Sequence, residues 1–151
     1  MKPKSEKEIA REHLTFFLTK HKLKKTPERY AILDKIYSKK RPFDVESLLA
    51  DMTGDKYNVS QATVYNTLKI LLDCGLVLRH QFGEIIRYER ILGKKFSRYL
   101  ICMDCGKVST FSDEILDKFI ERRKTPQFNA LHYSISIYGK CAKCHRKSLK
   151  K

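Results

Sequence analysis

The chain has no tryptophan, only six glycines and four prolines, and 17 acidic residues against 32 lysines and arginines. Each shortage excludes something. Scarce Gly and Pro, beside 42% hydrophobic and 11% aromatic residues, exclude a low-complexity or largely disordered chain. No apolar run approaches the roughly 20 residues that a membrane-spanning helix needs. The opening Met1-Lys-Pro-Lys-Ser-Glu-Lys-Glu lacks the apolar stretch of a secretory signal, so the expected location is the cytoplasm. In that reducing compartment the five cysteines read as metal ligands before disulfides. No nucleophile–base pair, phosphate-cradling glycine loop or open metal site is visible, and an enzyme is not expected. The shortage of acid leaves a net charge of +15, which calls for a polyanionic partner, nucleic acid before anionic membrane.

At 151 residues there is room for one ordinary domain or two small ones. Residues 1–75 read as four helices. The first, from Ser5 to about His21, carries Ile9, Leu14, Phe17 and Leu18 on one face. The second opens at Thr26-Pro27-Glu28, a cap, a proline at the first helical position and an acid in the first turn. Ile32, Leu33, Ile36 and Tyr37 follow at helical spacing. Asp44 caps a third helix bearing Leu48, Leu49 and Met52, and Ser60 caps a fourth that Gly75 ends. Then the period changes. Leu76–Phe82 and Ile85–Glu89 are β-prone runs around a two-residue turn, Gly83-Glu84. Helices followed by a hairpin are the pattern of a winged-helix DNA-binding domain. Residues 91–95 read as a linker. Beyond it the sequence predicts strands at Tyr99–Cys102 and Lys107–Phe111, a helix from Ser112 or Asp113 to Arg123, a strand from His132 to Tyr138, and a loose basic tail from Arg146.

On the helix from Ser60 to Cys74, Val64, Leu68, Leu71 and Leu72 form a packing arc, while Gln61, Ala62, Tyr65, Asn66 and Lys69 form another. Small, polar and aromatic groups with one cation suit a helix in a major groove. Asn66 can pair with an adenine, and Tyr65 can meet a thymine methyl or a phosphate. An ordinary amphipathic surface helix would look the same. The hairpin behind it and the basic stretch before it, including Lys24, Lys25 and Arg29, favour DNA. Ser60 and Thr63 complete the expected contact set.

Cys102-Met-Asp-Cys105-Gly and Cys141-Ala-Lys-Cys144 are two Cys-x-x-Cys knuckles. Two residues between thiols let both sulfurs converge on one ion, and Gly106 eases the turn. Four thiolates close a tetrahedral sphere, so a structural zinc is expected. Cys74, at the end of the fourth helix, reads as core.

The motifs Lys25-Thr-Pro-Glu-Arg-Tyr-Ala-Ile-Leu33, Ala62-Thr-Val-Tyr-Asn-Thr-Leu68, Gly75-Leu-Val77, Arg87-Tyr-Glu89, Leu100-Ile-Cys-Met-Asp-Cys-Gly-Lys-Val108, Phe111-Ser-Asp113 and Tyr138-Gly-Lys-Cys141 stand in one order. On them the chain resembles the ferric uptake regulator (Fur) family of bacterial metalloregulators. The resemblance implies an α+β fold: an N-terminal winged-helix DNA-binding domain over 1–91, hinged to a small α/β dimerisation domain over 92–151 with the four-cysteine zinc. It implies a homodimer on AT-rich inverted repeats of double-stranded DNA, usually a repressor. It places Tyr65 on bases and a lysine near Lys24 or Lys25 in the minor groove. Asn66 stands where relatives often have Arg.

The resemblance breaks at the regulatory metal. Relatives carry a His-rich run before Leu-Ile-Cys; here that run is Phe96-Ser-Arg-Tyr99. Phe43 and Tyr133 also stand at the family's His positions, with His132 one residue off. Glu89, Asp117 and His132 are the residual candidates for a regulatory site, but only Glu89 and Asp117 stand at apparent ligand positions, and two carboxylates without imidazoles bind iron, zinc or manganese weakly. Loss or rebuilding of metal sensing is therefore expected. A haem-responsive regulator using Cys74, His80, His132 or His145 is an alternative. A zinc-containing basic protein of RNA or the ribosome is another, predicting asymmetric, shape-dependent binding. A ligand carrier or metal buffer would load reversibly without selecting DNA sequences.

Overall fold

The computed structural model describes residues 2–54 and 58–150. The chain falls into two compact units, Met1–Gly93 and Lys94–Lys151.

The first unit is a winged helix preceded by an extra helix: α1 (Glu6–Lys20), α2 (Pro27–Ser38), α3 (Val45–Thr53) and α4 (Gln61–Asp73), then the antiparallel hairpin β1 (Val77–Phe82) and β2 (Ile85–Arg90). The starts follow from capping chemistry. Ser5 forms a reciprocal capping box with Glu8, and Asp44 and Ser60 accept the backbone N–H groups of Ser47 and Thr63. Thr26 precedes α2 without a side-chain cap bond, so Pro27 alone marks that start. Gly75, with φ +75°, ends α4 in the left-handed region. Gly83, with φ +63°, takes the first place of the two-residue hairpin turn, the signature of a type II′ turn.

One core joins these elements. Ala10, Leu14 and Leu18 of α1 meet Ile32, Leu33, Ile36 and Tyr37 of α2, Leu48 and Met52 of α3, and Val64, Leu68 and Leu71 of α4. Of the expected face of α1, Leu14 and Leu18 are buried and Phe17 packs against the core, but Ile9 is exposed and Ala10 takes its place at the head of the i, i+4, i+8 row. Two backbone bonds between Phe43 and Tyr88, 2.9 and 2.8 Å, tie the segment between α2 and α3 to β2.

The second unit has a three-stranded sheet in the order β4-β3-β5, from β3 (Phe96–Cys102), β4 (Val108–Thr110) and β5 (Tyr133–Gly139), with α5 (Glu114–Arg122) between β4 and β5. β3 pairs antiparallel with β4 and parallel with β5. β3 starts three residues before the expected Tyr99, because ladder pairing with β5 already begins at Phe96–Tyr133. The tail is not loose as far as it is described: Ala142–Leu149 forms α6, started by Cys141, whose sulfur accepts the N–H of Cys144. Among the described residues no helix is long and apolar enough to cross a membrane.

Candidate functional site

The second unit brings the two Cys-x-x-Cys knuckles together. One leaves the end of β3 and turns at Gly106, whose φ is +76° and whose N–H returns to the Cys102 carbonyl at 3.0 Å. The other joins β5 to α6. The four Sγ atoms of Cys102, Cys105, Cys141 and Cys144 lie within 4.8 Å of one another, with Cys105 and Cys141 at 3.8 Å. Four sulfurs bound tetrahedrally at ~2.3 Å from one ion would stand about 3.8 Å apart. The donor set therefore fits a zinc ion.

Backbone N–H groups already favour negative sulfur here. Those of Cys105 and Cys141 pull the Cys102 thiol down to about 6, the latter at 3.3 Å from Sγ. The Cys144 N–H lowers Cys141. Cys144 itself is pushed up to about 12, first by the Cys141 sulfur beside it. Four neighbouring thiols cannot all ionise alone, and a divalent cation removes that conflict. Among the described residues, no other group of three or more potential metal ligands is found.

The first unit presents the DNA-facing candidates. Gln61, Ala62, Tyr65, Asn66 and Lys69 are exposed on α4, while Val64, Leu68 and Leu71 are buried behind them and Leu72 is half-buried. Beside this face lies a groove of about 460 Å³ that brings Lys24, Arg29, Ser60, Thr63 and Asn66 together. Lys25 is exposed next to it, and the Arg29 guanidinium donates to the Lys24 carbonyl, fixing the approach to α2. The sequence reading missed Glu28, Asn58 and Thr67, which also line the groove. Thr67 is buried and its hydroxyl has no hydrogen-bond partner among the described residues. Its place on the packing side of the helical wheel hid it.

Comparison with known proteins gives the same frame. The model of the ferric uptake regulator family matches residues 20–138. This chain belongs to the ferric uptake regulator family. The family is one of transcription regulators, not enzymes. The Peroxide-responsive repressor PerR of Staphylococcus aureus is 31% identical over 125 residues, 81% of this chain and 82% of that protein. The Peroxide operon regulator of Bacillus subtilis is 29% identical over 124 residues, 81% and 84% of the two chains. Among solved structures, the Pseudomonas aeruginosa ferric uptake regulator with manganese has a TM-score of 0.66 at 26% identity, covering 83% of this chain and 95% of that one. The Helicobacter pylori regulator Fur shares the fold over 96% of this chain and 97% of its own, with a TM-score of 0.71 at 24% identity.

The residues that the sequence reading set at the regulatory-metal positions make contacts of their own in this Fur-family chain. Phe96 and Tyr133 stack with ring centroids 5.3 Å apart. Arg98 bonds both oxygens of Asp117 and lies over the Phe96 ring. In the first unit Phe43 stacks on Tyr88, and Glu89 is buried 3.0 Å from the Nε2 of His80. His132 precedes β5, within hydrogen-bond distance of the Ser97 hydroxyl at 2.6 Å and the Lys94 carbonyl at 3.1 Å. Of the three residual regulatory candidates, Glu89 belongs to the first unit, while Asp117 and His132 have separate partners within the second.

The haem alternative finds no support. Cys74 is buried, with its thiol pushed up to about 11 by desolvation. His80 and His132 are held by the partners just named, and His145 stands exposed on α6.

Proposed function

We propose that this chain is a homodimeric transcriptional repressor that sets α4 of each winged-helix domain (1–91) into a major groove of AT-rich inverted-repeat DNA. The observation that carries the reading is the meeting of two surfaces in the first unit: the exposed face of α4 and the cations Lys24, Lys25 and Arg29 beside it. Base edges are read by Tyr65 and Asn66, with Gln61 and Lys69 flanking. Lys24, Lys25, Arg29, Ser60 and Thr63 hold phosphates, and a net charge of +15 draws the protein to DNA.

The 92–151 region serves as the dimerisation domain and carries one structural zinc on its four cysteines. A unit this small cannot build a large core alone. Among its described residues only Ser97, Tyr99, Ile101 and Cys102 are well buried, while Ile115 is 84% exposed, Leu131 76% and Phe128 70%. Among the described residues β5 pairs on one side only, with β3. A bound ion and a second copy of the chain supply the missing burial.

Metal sensing is lost or rebuilt in this regulator. The Arg98–Asp117 pair, the Phe96–Tyr133 stack and the burial of Glu89 against His80 support that reading, because each occupies a group that an exchangeable ion would need. The test is equilibrium binding of the zinc-loaded protein to AT-rich inverted-repeat DNA, against excess random DNA, with and without manganese or iron. Selective binding indifferent to added metal is expected. Binding that appears only with metal would overturn the altered sensing, and no selectivity in either case would overturn the repressor reading.

A further inference from the structure

The two ends of α2 carry different basic surfaces. Its N-terminal end borders the groove beside α4; its C-terminal end borders a second groove, lined by Lys39, Lys40, Arg41, Phe43, Asp44 and Arg87 among others. Twelve helical residues separate them, about 18 Å at 1.5 Å per residue. The second groove is therefore not part of the face that meets a major groove. We propose that it binds a phosphate-bearing small molecule.

Four cations from two sequence-distant segments converge on one concavity of about 410 Å³. Their positions are built by the fold. The two backbone bonds between Phe43 and Tyr88 pin the segment carrying Lys39, Lys40 and Arg41 against β2, next to Arg87. Pro42 limits the freedom of that segment further. Lys39 is held by the Asp51 carboxylate and lies over the Phe43 ring, 5.6 Å from its centroid. Arg87 stands 4.0 Å from Asp44, at the limit of an ion pair, while its Nη1 donates to the Ile86 carbonyl. Arg41 is exposed and forms no ion pair among the described residues. Two guanidinium groups offer the planar donor geometry that phosphate oxygens accept. Asp44 defines the other pole of the groove. Its carboxyl is held below the ordinary range, chiefly by the Ser47 N–H, so it is an acceptor for a hydroxyl of the bound molecule. A phosphoester with a hydroxyl toward Asp44 satisfies both poles.

The experiment is calorimetric titration of inorganic pyrophosphate into the full-length, zinc-loaded protein at fixed ionic strength. One saturable site per chain is expected. Arg41→Ala with Arg87→Ala should weaken it at least about tenfold, as loss of two charge-assisted contacts requires. Lys24→Ala with Lys25→Ala, at the other end of α2, should leave it unchanged. Because Arg87 also touches Asp44, Arg41→Glu alone serves as a second variant at an exposed position and should abolish the saturable heat. No saturable binding, equal binding by the Arg41 variants, or loss in the Lys24 and Lys25 pair would overturn the proposal. A further arm separates the sources of phosphate: without pyrophosphate, the Arg41→Glu protein should bind duplex DNA with unchanged affinity and salt slope. A tenfold loss with a shallower slope would assign the groove to the DNA backbone and overturn the small-molecule assignment. Failure of the native protein to select any DNA sequence would sink the repressor reading and leave the pyrophosphate result standing.

Discussion

One guanidinium nitrogen of Arg98, Nη1, lies 2.6 Å from Oδ1 and 2.7 Å from Oδ2 of Asp117, while Nε of the same group donates to the Phe111 carbonyl at 2.9 Å. Both side chains are more than four-fifths buried, at 16% and 19% exposed. The pair joins the middle strand of the sheet to the first turn of α5, where Asp117 also sits favourably against the helix dipole. A carboxylate held this way is neutralised from within the chain.

Removing the cation should expose that dependence. Arg98→Ala leaves Asp117 partly buried with its partner gone, and it should cost about 2–3 kcal/mol, somewhat below the loss for a fully buried pair. Urea denaturation followed by a probe in the second unit measures it. The double change Arg98→Ala with Asp117→Ala should be the milder one, since it strands no charge. A double variant as unstable as the sum of the singles would mean that the two residues do not act as a pair.

The elements were legible where local chemistry sets them. Ser5, Asp44 and Ser60 start helices because their side chains satisfy backbone N–H groups within three residues, a relationship written in sequence spacing. The two knuckles were legible for the same reason, although 35 residues separate Cys105 from Cys141. What the sequence hid depends on contacts between distant segments. Nothing in Arg98 announces Asp117, and nothing in Lys39-Lys40-Arg41 announces Arg87. The strand ran back to Phe96 because its partner is Tyr133, which lies 37 residues away in the chain. Ile9 misled because α1 has apolar residues on more than one side, and only packing against α2 selects the row from Ala10.

Loss of the ion should act on the second unit alone at first. Chelation with a strong zinc ligand, or Cys102→Ser, is expected to unfold the four-cysteine end and with it the dimer, because binding energy at such a site is folding energy. Analytical ultracentrifugation with zinc analysis reads both quantities. A dimer that persists after verified zinc loss would contradict the structural role. Helical circular dichroism from the first unit should largely survive, since its core contains none of the four thiols.

Alkaline stability should decline through the first unit. Burial pushes the Tyr37 hydroxyl up to about 12 and the Cys74 thiol up to about 11, both above their ordinary values. For groups raised in the folded state, the contribution is complete below the unfolded values near 9 and 10 and is lost as pH climbs through the folded ones. The Tyr37 hydroxyl donates to the Leu76 carbonyl at 2.8 Å, so Tyr37→Phe should cost about 1 kcal/mol at neutral pH. The same variant should lose less stability than the native protein between about pH 10 and 12, the span from the ordinary tyrosine value to the raised one. Identical alkaline slopes would remove Tyr37 as a cause.

Substitutions on the α4 face and among the neighbouring lysines should separate reading from holding. Tyr65→Ala and Asn66→Ala each remove an exposed side chain that packs no core, so the fold should be unaffected. Each should lower the preference for specific over random DNA by about 1–3 kcal/mol, the value of one good base contact. Lys25→Ala should instead weaken both kinds of DNA alike and reduce the slope of log affinity against log salt by about 0.9, one released counterion. Fluorescence anisotropy across a salt series measures all of these. Equal losses on specific and random DNA for Tyr65→Ala and Asn66→Ala would place another element in the groove. The exposed hairpin turn at Gly83-Glu84 would then be the next segment to vary.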